Sequence, residues 1–153
     1  MNDNKKNTEK KQFNARVLLV EDVPMNQKVA TGILKRNGCT VDLAVNGEEA
    51  VMKCGKTSYD LILMDVQMPV MDGIQATRKI RGNETNVIDP GVPIIAMTAN
   101  AMKGDRELCL KAGMDDYVSK PIRADELKIA IENQLVISNT KPRKPTRIES
   151  CQK

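Results

Sequence analysis

Short apolar runs alternate with helical patterns five times along this chain, and that alternation restricts its fold more than any other feature. Residues 16–20, 40–45, 59–64, 93–97 and 117–119 read as strands. Residues 26–37, 48–54, 74–81, 103–112 and 125–137 read as helices. Val29, Ala30, Ile33 and Leu34 share one face of the first helix; Ile74, Thr77 and Ile80 share one face of the third. Leu127, Ile131 and Leu135 form a stripe on the last. Gly38 and Gly113 are placed to stop the first and fourth helices, and Asn46-Gly47 to make a turn. Five strand–helix units call for a parallel sheet with helices on both faces, and 153 residues suit one such α/β domain.

In an open parallel sheet, ligands bind at the carboxyl ends of the strands. Glu21 and Asp22 close the run Val17-Leu18-Leu19-Val20, and Asp65 closes Leu61-Ile62-Leu63-Met64. Thr98 closes Pro93-Ile94-Ile95-Ala96-Met97, and Lys120-Pro121 follows Tyr117-Val118-Ser119. Three carboxylates, a hydroxyl and an ammonium are therefore expected along one sheet edge. Adjacent carboxylates are unfavourable unless a cation neutralises them, and oxygen ligands suit Mg²⁺ or Mn²⁺. A carboxylate such as Asp65 can attack phosphorus and become an aspartyl phosphate. That transfer needs positioning and charge neutralisation more than a protein base. Lys120 would bring a compact positive charge to the phosphoryl oxygens, and Thr98 a hydroxyl donor. Taken singly, each residue has a plainer role: solvated acids after a strand, Thr98 as a helix N-cap, Lys120 on the surface, Tyr117 in strand packing. Their coincidence at strand ends favours a site.

The matching stretches resemble the receiver domain of two-component response regulators. They are Val17-Leu18-Leu19-Val20-Glu21-Asp22, the run from Asp60 through Met64-Asp65-Val66-Gln67-Met68-Pro69 to Gly73, Pro93-Ile94-Ile95-Ala96-Met97-Thr98-Ala99 and Tyr117-Val118-Ser119-Lys120-Pro121. The resemblance covers residues 15–137 and implies a flavodoxin-like (βα)5 three-layer sandwich with strand order 2-1-3-4-5. It implies Asp65 as phosphoacceptor. Glu21, Asp22 and Asp65 would be the Mg²⁺ carboxylates, with the main-chain carbonyl of Gln67 as a further ligand and Mn²⁺ as the alternative ion. Thr98 and Tyr117 would be the switch pair and Lys120 the phosphate-contacting lysine. The main chain of Val66 and Ala99 would touch the phosphate, and Lys120–Pro121 would be a cis peptide. Gln67 and Asn100, each two residues past a site residue, are candidates for tuning water access.

Two segments, Glu21-Asp22-Val23-Pro24-Met25-Asn26-Gln27 and Ala96-Met97-Thr98-Ala99-Asn100-Ala101, resemble more narrowly the receivers of hybrid histidine kinases. The implied partners are a sensor histidine kinase, a histidine phosphotransfer protein, or both; a homodimer through the fourth and fifth helices is a further expectation. The chain has no histidine, so a donor phosphohistidine must come from another protein or domain. It is expected to be a stand-alone receiver or a piece of a hybrid kinase. No turnover is expected beyond phosphorylation and dephosphorylation of its own aspartate.

The net charge of +4 misleads about partners. Lys5, Lys6, Lys10 and Lys11 near one end, and Lys141, Arg143, Lys144, Arg147 and Lys153 near the other, carry the basic excess, leaving the middle acidic. Residues 1–14 read as a disordered polar leader and 138–153 as a disordered basic tail. A nucleic-acid adaptor using those tails is one alternative, weakened by an aromatic content of only 2%. A flavin-binding flavodoxin-like module is another, but Glu21-Asp22 would repel its phosphate. Cys39, Cys54, Cys109 and Cys151 have no C-x-x-C spacing; the first three read as buried thiols of a cytoplasmic protein. No signal segment or apolar run long enough to span a membrane is seen.

Overall fold

The structure, a computed structural model, describes residues 12–82, 86–99 and 103–140. In chain order the elements are β1 (Arg16–Val20), α1 (Pro24–Arg36), β2 (Thr40–Ala44), α2 (Gly47–Cys54), β3 (Leu61–Asp65), α3 (Gly73–Arg81), β4 (Ile94–Thr98), α4 (Lys103–Ala112), β5 (Asp116–Ser119) and α5 (Ala124–Thr140). The strands form one parallel sheet of order β2-β1-β3-β4-β5, the flavodoxin-like arrangement.

Strand alternation splits the core into two layers. Leu18, Val20, Ile62, Met64, Ile94 and Ala96 face one side, where Ala50, Cys54, Ala76, Ile80 and Cys109 cover them from α2, α3 and α4. Val17, Leu19, Leu61, Leu63, Ile95 and Met97 face the other, under Ala30, Ile33 and Leu34 of α1 and Leu127, Ala130 and Ile131 of α5. Covered on both faces, β3 and β4 are buried throughout, which is why they read as unbroken apolar runs. Cys39, Cys54 and Cys109 are buried free thiols.

Several boundaries differ from the sequence expectation. The first helix begins at Pro24, two residues early, because proline's fixed φ and missing N–H suit a first helical position. Val29, expected on the buried face, is exposed. Asn46 is an N-cap rather than a turn residue: its side chain accepts from Glu49 N, and Gly47 is already helical. Asp65 and Thr98 are the last residues of their strands, not the first beyond them. The last helix continues to Thr140, three residues past its expected end; no glycine or proline interrupts it, and the next breaker in sequence is Pro142. The remainder of both expected tails lies outside the described residues.

Gly73 positions the site from below. A Cβ at this residue would run into the Asp65 carbonyl oxygen, so only glycine lets α3 start so close to the end of β3. Asp72 caps the same helix through a capping box with Gln75. At the opposite end of α3, Arg81 donates to the carbonyls of Gly113, Pro90 and Val92 and to Asp115. On β2, Ala44 accepts from Glu21 N towards the sheet, while Lys53 Nζ donates to the Leu43 carbonyl and Val45 N–H donates to Glu49.

Candidate functional site

The sheet ladder continues past the ends of β1 and β5 and fixes the two residues that follow them. Glu21 N donates to the Ala44 carbonyl and Lys120 N to the Thr98 carbonyl. The side chains at the ends of β1, β3, β4 and β5 therefore stand over one edge. A cleft of about 180 Å³ opens there, lined by Asp22, Asp65, Val66, Thr98, Ala99 and Lys120 among others. Glu21, fully buried, lies beneath it.

One carboxylate oxygen each from Glu21, Asp22 and Asp65 lies within 4.8 Å of the others. Lys120 Nζ sits 2.8 Å from Asp65 Oδ2 and 3.1 Å from Glu21 Oε1. Glu21 Oε2 accepts from Val23 N at 3.1 Å, whereas its buried Oε1 faces the Lys120 ammonium. Gln27 holds the Glu21 carbonyl from α1. Asp65 Oδ1 accepts from Gln67 N at 3.2 Å.

Burial raises the Asp65 pKa, as does the nearby Glu21 charge; the hydrogen bond from Lys120 opposes both. Burial alone would lower Lys120, but hydrogen bonds and attraction from Asp65 and Glu21 carry it above its usual value. The three carboxylates outnumber the one ammonium, so the cleft favours an added cation. Hard oxygen donors converging from three carboxylates fit magnesium in chemistry.

The Lys120–Pro121 peptide is cis. Thr98 is buried and donates its hydroxyl to Asp105 Oδ2 at 3.1 Å. Tyr117 stands apart from the cleft lining; it is half-buried against the α2–α4 side of the core, with the Arg106 guanidinium 5.3 Å from its ring centroid. Val66 lines the cleft, but its N–H donates to the Met97 carbonyl, completing the β3–β4 ladder. The neighbouring Gln67 N–H is the one turned towards Asp65. Asn100 lies outside the described residues. Sequence reasoning missed Asp105 and Arg106: both belong to an exposed helical face, and nothing in local periodicity marks their partners.

The profile of the family described as the response regulator receiver domain matches residues 17–132. Hybrid signal transduction histidine kinase L of Dictyostelium discoideum is 44% identical over 120 residues, covering 76% of this chain and 7% of that protein. Histidine kinase 5 of Arabidopsis thaliana is 41% identical over 143 residues, covering 78% of this chain and 16% of that protein. The chain thus spans a small fraction of these curated relatives. Among solved structures, the receiver domain of a Pseudomonas aeruginosa sensor histidine kinase, with magnesium in its active-site cleft, is 46% identical at a TM-score of 0.72. The match covers 80% of this chain and 98% of that one. The receiver domain of Ssk1 from Saccharomyces cerevisiae, solved with the histidine phosphotransfer protein Ypd1, gives 33% identity and a TM-score of 0.71 over 80% and 89% of the two chains. Among the described residues, no helix is long and apolar enough to cross a membrane.

Proposed function

The chain belongs to the response regulator receiver domain family and is a phosphorelay receiver; from that premise we propose that Asp65 is its phosphoacceptor. The observation that carries this reading is the seat of the Asp65 carboxylate. It ends the central strand β3, opens to a cleft, and has an ammonium 2.8 Å away. In the proposed step, one Asp65 carboxylate oxygen attacks phosphorus. The N–P bond of a partner's phosphohistidine breaks, and its electron pair leaves with the imidazole nitrogen. Lys120 meets charge on the phosphoryl oxygens, and the Gln67 N–H and Thr98 hydroxyl are the nearby donors.

Glu21, Asp22 and Asp65, with the Gln67 carbonyl, would hold a magnesium ion. Bound there, it would offset charge on the carboxylates and the incoming phosphate. The proposed donors and acceptors are a histidine kinase core or a histidine phosphotransfer protein, met in the cytoplasm. The proposed receiver unit spans residues 15–137, with α5 running on through Thr140. The flanking basic segments have no assigned role in the transfer. A flavin phosphate is disfavoured because Asp22 lines the cleft after β1 and Glu21 lies beneath it.

The test is labelling with acetyl phosphate and magnesium, followed by peptide mapping. Wild type should form an alkali-labile phosphate at Asp65, and Asp65→Asn should not. Undiminished labelling in Asp65→Asn would overturn the assignment.

A further inference from the structure

We propose that two consecutive residues of α4, Asp105 and Arg106, form a latch that holds Thr98 and Tyr117 in the resting arrangement. The inference rests on the reading of Asp65 as phosphoacceptor and of Thr98 and Tyr117 as the switch pair.

The first grip is a hydrogen bond. Thr98 donates its hydroxyl to Asp105 Oδ2 at 3.1 Å. An ionised carboxylate only accepts, and a threonine hydroxyl has a single proton to give. A phosphoryl group on Asp65 would also present only acceptors. Asp105 and the phosphoryl oxygens therefore compete for one O–H. Thr98 cannot serve both, so the competition has two discrete outcomes rather than a graded one.

The second grip is a cation over a ring. The Arg106 guanidinium lies 5.3 Å from the centroid of Tyr117, within cation–π range. Successive helix positions point about 100° apart, which lets neighbouring residues reach different strands. Thr98 ends β4, and Tyr117 lies on the paired strand β5, opposite Ala96. One turn of one helix thus holds both members of the pair.

The seat of α4 suits such a role. Among its described residues only Cys109 and Ala112 are buried, while Leu108 and Leu110 are exposed. With so little apolar anchorage, the polar grips carry a large share of what positions this helix, and losing one of them biases its equilibrium. Phosphorylation would draw the Thr98 O–H hydrogen bond onto a phosphoryl oxygen, release Asp105, and free α4 to move with Arg106. Asp105 and Arg106 are positioning residues in this scheme; neither lines the phosphate cleft.

The chain has only two tyrosines, Tyr59 and Tyr117, so fluorotyrosine labelling gives two ¹⁹F resonances. Tyr59 is buried, donates to Asp42, and serves as an internal control of folding. In the full chain, acetyl phosphate with magnesium should move the Tyr117 resonance and leave Tyr59 in place. Without phosphate donor, Asp105→Ala should move Tyr117 in the same direction, raising the minor population about tenfold. Asp105→Asn keeps an acceptor oxygen and should restore most of the resting position. Arg106→Ala should raise that population about threefold. A Tyr117 resonance unmoved in both Asp105→Ala and Arg106→Ala, with Asp65 still labelled, overturns the latch alone. Absence of labelling at wild-type Asp65 overturns the receiver reading, and the latch with it.

Discussion

Lys120 and Asp65 meet across an intervening strand: β5 delivers the ammonium and β3 the carboxylate, 2.8 Å apart, with β4 between them. The same ammonium contacts Glu21 and so meets two of the three carboxylates of the cluster. Lys120→Ala should therefore have opposite effects on two measurements. Phosphorylation by acetyl phosphate should slow at least about tenfold, because a charge-assisted contact to the phosphoryl oxygens is lost. Magnesium affinity, followed by titration, should rise about tenfold, because a competing positive charge is removed. Weakened magnesium binding in this variant would contradict the arrangement.

Asp22 makes the opposite case. It lines the cleft and contributes one oxygen to the carboxylate cluster. Magnesium at about 100 times its Kd should stabilise the wild-type fold by about 2.7 kcal/mol, and chelation should remove that gain. Asp22→Ala should lose the gain, yet in chelator its midpoint of thermal unfolding should not fall, because one of three repelling carboxylates is gone. A metal-dependent stabilisation of unchanged size in Asp22→Ala would contradict its role as a ligand.

Far from the cleft, Arg81 satisfies three carbonyls and pairs with Asp115 at 2.9 Å. Its side chain is only 15% exposed, so removing it leaves three carbonyls without their donor, while Asp115, 40% exposed, keeps its access to water. Arg81→Ala should cost about 3 kcal/mol in urea unfolding. Arg81→Lys should recover little of this, since an ammonium cannot reproduce the planar fork of donors. Near wild-type stability in Arg81→Lys would show that charge alone suffices.

Four buried acids, the thiols of Cys39, Cys54 and Cys109 and the Tyr59 phenol, are held protonated by the fold and weaken it as pH rises. Burial pushes the Cys39 thiol up to about 11 and the Cys54 thiol up to about 12, from an ordinary value of 9.0. Burial and then the hydrogen bond to Asp42 push Tyr59 up to about 12 from 10.0. In each case the folded state holds its proton more tightly than the unfolded chain does. Stability is thus fully present below pH 9 and falls as pH rises through the window from about 9 to 12. Urea unfolding at pH 8 and pH 10 should differ by about 1 kcal/mol for each thiol, and Cys54→Ala should shrink the difference. A stability that rises over this range would contradict the assignment.

Much of this molecule was legible before any coordinates. Apolar runs located β1, β3 and β4 because these are covered on both faces, alternation located β2, and the polar residues closing β1, β3 and β4 line or underlie the cleft. Ends of elements were harder. Asp65 and Thr98 continue the ladder although they are polar, and Pro24 opens α1 by geometry rather than by hydropathy. Val29 fits a helical stripe yet stays exposed, since α1 has only one flank against the sheet. Asp72 could have been found from its Asp-x-x-Gln spacing. Arg81, Asp105 and Arg106 could not. Their partners lie on other elements, up to 34 residues away in the case of Asp115, and no local pattern encodes such a distance.

The outer rim of β2 is stoppered by its own following helix. Leu43 and Val45 turn their main-chain groups away from β1, where Lys53 and Glu49 occupy the Leu43 carbonyl and the Val45 N–H. A foreign strand arriving there finds two of its hydrogen-bonding places taken. Growth by strand addition, the common route to unwanted polymers, is therefore hindered at that end of β2. A signalling module must touch partners briefly and let go, and a partly blocked rim works against a lasting strand pairing there.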